Sequence, residues 1–179
     1  MHIRDFLFQM LTPIAKIVGK IHAPYSKCLI TTKDYEAIKK LATPGNIILT
    51  RSNGELTNLF IKGFYTHATM IINDKCDVIE ATGEGVHITS LFDLLKRIDY
   101  CAVVNYKYHN NKSLPLVKYL GKPYDYLFES GNSSYYCSEL VLSILEDVNN
   151  TPIVGDKVIY PSAIMANTKM FTTCYVSEQ

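Results

Sequence analysis

Cys137 stands at the head of the run C-S-E-L-V-L-S-I-L-E-D-V, in which Leu140, Val141, Ile144, Leu145 and Val148 recur at helical spacing. It precedes Leu140 by three residues and Val141 by four, so it extends that apolar stripe at its N-terminal end. The side chain is expected to face the body of the domain from the mouth of a helix. Unpaired N–H groups and the positive end of the helix dipole favour an anion there, so the position suits a thiolate nucleophile. Glu139 fits a helix start, although its charge opposes a neighbouring thiolate. Most free cysteines are small buried hydrophobes, and that reading is given to Cys28, Cys76, Cys101 and Cys174.

A cysteine nucleophile needs a base. Of His2, His22, His67, His87 and His109, His67 is the best placed, at the start of the apolar run H-A-T-M-I-I. If Asn73 and Cys76 flank a two-residue turn, Ile71 faces Val78, Thr69 faces Glu80 and His67 faces Thr82. His67, Thr69 and Glu80 then share one face of the sheet, with Glu80 diagonal to His67, about 7–8 Å away by Cα. A carboxylate there can accept the imidazole N–H and fix its tautomer and orientation. A turn of odd length would send Glu80 to the opposite face. His87 is the competing base, in a short strand after a glycine turn, while His109 lies in a loop-like Tyr-His-Asn-Asn.

The elements that must position these groups follow from periodicity and breakers. Thr31 or Thr32 caps a helix through Leu41, which Pro44-Gly45 ends. Strands are predicted at Asn46 to Arg51, His67 to Asn73, Cys76 to Ala81, Val86 to Thr89 and Tyr100 to Tyr106, with a closing strand at Phe171 to Val176. Helices are predicted at Leu91 to Arg97, Leu114 to Leu120 and Cys137 to Val148, with a helical turn opened by Pro161. Hairpin links this short exclude parallel crossovers. The fold class is α+β, with an antiparallel sheet of about five strands packed on helices.

The chain has 179 residues, with 18 basic and 17 acidic side chains giving a net charge of +1 and no dense run of either sign. One domain is expected over 1–179, as a helical segment (1–42) and a core (44–176). A nucleic-acid surface is not expected. Five scattered cysteines with no C-x-x-C pair argue against a disulfide framework and a structural zinc site. Zinc held by His67, His87 and Cys137 is the rival to a metal-free site, and no cofactor is expected. Phe6, Leu7, Met10, Leu11, Ile14, Ile17, Val18 and Ile21 make the N-terminus amphipathic, without the solid apolar block of a secretory signal. The ordinary reading is a helix docked on its own domain; the sharper one is a helix lying on a membrane surface. A cytoplasmic or membrane-peripheral protein is expected.

The order P-G-N-I-I-L-T, F-Y-T-H-A-T-M-I-I, V-I-E-A, G-K-P-Y-D-Y and Y-Y-C-S-E-L-V resembles the circularly permuted papain-like amidases of the NlpC superfamily, YaeF/YiiX type. The similarity runs from about Pro44 to about Met165. In papain the cysteine precedes the histidine; in the permuted group the histidine and its polar partner come first. The resemblance implies a permuted papain-like fold with Cys137 as nucleophile, His67 as base and Glu80 as the orienting residue. It also implies the Cys137 N–H as part of an oxyanion hole, Tyr135 as second donor with Tyr136 as the fallback, and Tyr124-Asp125 as support or substrate lining. Lecithin:retinol-type acyltransferases share the permuted order but carry N-C-E-H-F where this chain has Y-C-S-E-L, which favours hydrolysis over acyl transfer. The implied substrates are cell-wall peptides or amides and esters of fatty acyl chains. A non-catalytic lipid- or peptide-binding domain on the same scaffold is the alternative.

Overall fold

Thr31 starts the first helix among the described residues, α1 (Thr32–Lys40), with a reciprocal cap. Its hydroxyl accepts from the Asp34 N–H at 3.2 Å, and the Asp34 carboxylate accepts from the Thr31 N–H at 2.7 Å. The computed structural model describes residues 29–53, 61–108, 113–128, 133–153 and 158–177. The amphipathic stretch before Cys28, with His2 and His22, and also His109, lies outside the described residues. Among the described residues no helix is long and apolar enough to cross a membrane.

Six strands follow the antiparallel order β4-β3-β2-β1-β5-β6. They are β1 (Ile47–Arg51), β2 (His67–Ile71), β3 (Asp77–Thr82), β4 (Gly85–Ser90), β5 (Tyr100–Tyr106) and β6 (Phe171–Val176). The sheet is therefore α+β in the expected sense, with six strands rather than about five because Phe171–Val176 pairs fully along β5. Between β4 and β5 comes α2 (Leu91–Leu95); after β5 come α3 (Cys137–Asn149) and α4 (Pro161–Ala166).

Alternation along the strands divides the core between two faces. Ile47, Leu49, Ala68, Met70, Ile79 and Ala81 pack with Leu140, Val141, Ile144 and Leu145 of α3. On the other face Ile48, Ile71, Val78 and Val103 pack with Ile38 of α1 and Leu91, Leu94 and Leu95 of α2. Fully burying one such aliphatic side chain is worth about 1.5–3 kcal/mol. The four α3 residues, all fully buried, thus fix the helix, and with it Cys137, against the sheet.

Two hairpins carry the rest of the site. Between β2 and β3 the pairs Met70–Ile79 and Ile71–Val78 have the register expected from a turn bracketed by Asn73 and Cys76. The Cys76 N–H donates to the Asn73 carbonyl at 3.1 Å, and Cys76 takes a left-handed φ of 64°. The Asn73 side-chain oxygen adds bonds from the Lys75 and Asp77 N–H groups. Between β3 and β4, Gly85 has φ of 97°, and a Cβ there would lie 2.7 Å from the Lys122 carbonyl oxygen. Only glycine satisfies both demands.

The helix expected over Leu114 to Leu120 is instead a single 3-10 turn, Leu116–Lys118. Pro115 restricts its start, and Gly121 and Lys122 are drawn into backbone pairing with Val86 at the edge of β4. Helix α2 ends at Leu95, two residues short of the expected Arg97.

Candidate active site

Helix α3 opens at Cys137 with Tyr136 as its N-cap, and the Tyr136 N–H donates to the Glu139 carboxylate at 3.4 Å. Cys137 is 2% exposed. Its sulfur is turned toward the first two residues of β2, where the His67 ring and the Ala68 N–H act on it, as does the Ser138 N–H at the head of its own helix. On the far side of the ring, His67 Nε2 lies 2.9 Å from Glu80 Oε2. That contact leaves Nδ1 for the sulfur. The three groups named from the sequence therefore meet in one place, joined through His67.

Glu80 is fully buried. Alternation puts it on the sheet face that carries α1 and α2, which is why Arg97, just past the end of α2, can reach it. Arg97 Nη2 binds Glu80 Oε1, and His87 Nε2 lies 3.3 Å from the same oxygen. His87, named from the sequence as a rival base, thus stands behind Glu80 in the edge strand β4. Arg97 carried no sequence signal beyond closing a short helix. The His87 contact was readable in principle: a two-residue turn at Gly83-Glu84 places His87 opposite Glu80, as the ladder does.

Charge and burial act in opposition here. Burial disfavours the imidazolium, but the bonds to Cys137 and Glu80 outweigh it and raise His67 to about 10. Burial likewise opposes a thiolate, yet His67 and the Ala68 and Ser138 N–H groups bring Cys137 below the usual thiol range. Burial would raise Glu80, but His67, His87 and Arg97 hold it far below the usual carboxylate range. A thiolate, an imidazolium and a carboxylate in sequence is the arrangement of an activated thiol nucleophile.

The three tyrosines take different places. At Tyr124 burial first, and then the charge of Cys137, raise the hydroxyl well above its usual value, so it stays a donor. Tyr136 is buried, with its hydroxyl accepting from the Ile159 N–H at 3.4 Å and its ring against Phe128. Tyr135 packs edge-on to Tyr119 at 5.2 Å, and its hydroxyl is influenced by Lys118, Glu139 and Asp147 along the flank of α3. The bridge between Tyr124 and Tyr135 fixes these placements. Among the described residues no three His, Cys, Asp or Glu side chains are grouped to hold a metal ion; His67 and His87 both direct Nε2 at Glu80.

No curated protein matches the chain. The crystal structure of the metalloprotein yiiX from Escherichia coli O157:H7 is similar in fold, with a TM-score of 0.59 at 20% identity over 76% of this chain and 98% of that one. A family model, the permuted papain-like amidase enzymes of YaeF/YiiX type, matches residues 41–173. Fold, chain order and that match agree, and the chain belongs to the C92 family of permuted papain-like amidases.

Proposed function

We propose that the protein is a cysteine hydrolase that cleaves an amide or ester through a thioester on Cys137. The observation that carries this reading is the position of His67, which bonds Glu80 through one ring nitrogen at 2.9 Å and acts on the Cys137 sulfur from the same ring. His67 holds the proton taken from Cys137. The thiolate attacks the acyl carbon, forming the C–S bond as the carbonyl electron pair moves onto oxygen. That oxyanion is stabilised by the Cys137 N–H, free of intrahelical bonding at the first position of α3, and by the Tyr124 hydroxyl. As the tetrahedral intermediate collapses, the C–N or C–O bond breaks and His67 gives its proton to the leaving group. A water molecule, its proton taken by His67, then attacks the thioester; the C–S bond breaks, the acyl group leaves as the carboxylic acid, and the Cys137 thiolate is restored beside the protonated His67.

Tyr124 is preferred to Tyr135 for the second donor because the charge of Cys137 acts on its hydroxyl and not on that of Tyr135. Hydrolysis is preferred to acyl transfer because Y-C-S-E-L departs from the transferase signature. Cell-wall peptides and fatty acyl amides or esters are the two proposed substrate classes.

The test is capture of the acyl-enzyme. Peptide and lipid-amide libraries are incubated with the protein and read by mass spectrometry of the intact chain and of the Cys137 peptide. An acyl adduct on Cys137 that is lost in Cys137→Ala is expected. Turnover of a substrate by Cys137→Ala would end the proposal.

A further inference from the structure

His87 stands directly opposite Glu80 in the β3–β4 ladder. Both of its ring nitrogens face acceptors. Nδ1 lies 3.0 Å from the Gly85 carbonyl oxygen, and Nε2 lies 3.3 Å from Glu80 Oε1. A carbonyl and a carboxylate only accept, whereas a neutral imidazole carries a single N–H. Only the imidazolium can donate to both.

The same Oε1 also receives Arg97 Nη2. One oxygen of a fully buried carboxylate is thus held by two cations, while the other is left to His67. A buried carboxylate facing His67 alone would be free to rotate and would tend to draw the ring proton to itself, since a charge out of water is costly unless paired. Two cations on Oε1 keep Glu80 ionised and keep the proton on the ring.

We propose that His87, carried as an imidazolium, and Arg97 are positioning residues that lock Glu80 so that its second oxygen aims His67 at Cys137. The proposal rests on the thiol-hydrolase reading above and extends it to two side chains that act only through Glu80. The groups facing His87 are Glu80 from β3 and Arg97 from the turn after α2. Beyond the edge strand, Gly121 and Lys122 meet β4 through backbone bonds to Val86. Glu80 first, and the Gly85 carbonyl in support, raise the His87 pKa above its usual value despite burial and Arg97. The His87 and Arg97 side chains are 38% and 46% exposed, so each can be changed without opening the core.

The experiment compares the full-length protein with His87→Gln, Arg97→Gln and His87→Lys, with circular dichroism to establish that each folds. Two quantities are read: the NMR titration of His87, and the pH profile of Cys137 alkylation by iodoacetamide. His87 is expected to be charged at pH 7. In both Gln variants the acid limb of alkylation should move up by about one pH unit, an approximately tenfold slower reaction at a pH below the limb. The direction follows because Glu80 takes up a proton more readily, and the thiolate loses nearby positive charge. His87→Lys, which restores the cation, should move the limb back. A neutral His87 at pH 7, or Gln variants with the wild-type limb, would overturn the proposal while leaving the nucleophile assignment standing. Wild-type Cys137 reacting no faster than the other thiols would instead overturn the hydrolase reading, with the His87 titration still deciding separately whether the clamp forms.

Discussion

His67 and Glu80 occupy diagonal rather than opposed positions across the β2–β3 hairpin, and a 2.9 Å hydrogen bond joins them. The diagonal lets a long carboxylate reach the outer nitrogen of the ring. The inner nitrogen then remains for sulfur. In Glu80→Gln the acceptor becomes a neutral amide, and one of its orientations presents N–H groups to the ring. By analogy with the loss of an orienting carboxylate in other triads, kcat is expected to fall by about 10³–10⁴ with little change in KM. Steady-state kinetics on the captured substrate checks this.

Cys137 should be distinguishable from the other described thiols without any substrate. Near pH 6 iodoacetamide should label it well ahead of Cys76 and Cys101, both of which burial pushes above the usual thiol range, Cys101 to about 12. The exposed Cys174 serves as the accessibility control. Peptide mapping over a time course gives the rates. Equal labelling of Cys137 and Cys174 would count against a paired thiolate.

Tyr124→Phe removes the hydroxyl proposed as the second oxyanion donor. A lost oxyanion donor typically costs about 10²–10³ in kcat, and that is the expected range here. Tyr135→Phe, on the flank of α3, should stay within a few-fold of wild type. Reversal of that order in parallel kcat measurements would move the donor role to Tyr135.

How much of this was readable in residue order depended on how local the determinants were. The β2–β3 register followed from one turn and a period-two pattern, so His67 and Glu80 could be put on one face before any coordinates. The α3 stripe likewise placed Cys137, because five aliphatic residues at helical spacing leave little choice of face. Arg97 was out of reach: its contact depends on how α2 lies across the sheet, which no short-range pattern encodes. The placement of the tyrosines was not encoded locally either, since 124, 135 and 136 are sorted by the bridge between two irregular segments. The expected helix at Leu114 to Leu120 lost to pairing with the edge of β4, where a tertiary contact overrides weak helical propensity.

Glu139 offers a stability test independent of catalysis. Burial raises its carboxyl to about 7, with the nearby Asp125 adding to the effect and the Tyr136 N–H opposing it. Since the folded protein holds this proton more tightly than the unfolded chain does, stability contributed by Glu139 falls as pH rises from about 4.5 to about 7. Glu139→Gln keeps an acceptor for Tyr136 and removes the titration. Its Tm should exceed wild type at pH 8, and the advantage should shrink by pH 5. Thermal unfolding at the two pH values checks it.

His67 gives a second window of the same sign at higher pH. Its pKa is raised to about 10 in the folded state, so its contribution is complete below about 6.5 and is lost as pH climbs toward 10. His67→Phe should flatten that alkaline decline in denaturant midpoints measured from pH 6 to pH 10. An unchanged slope would show that the ring is not the group responsible.

The ring and the carboxylate come from one hairpin, thirteen residues apart, but the sulfur arrives on a helix about seventy residues later in the chain. On a ribosome the hairpin is complete long before α3 has been made. Until that helix seats itself, the sulfur lacks the ring and the N–H groups that lower its pKa. The proposed nucleophile is thus assembled only once α3 packs, after most of the chain has been made.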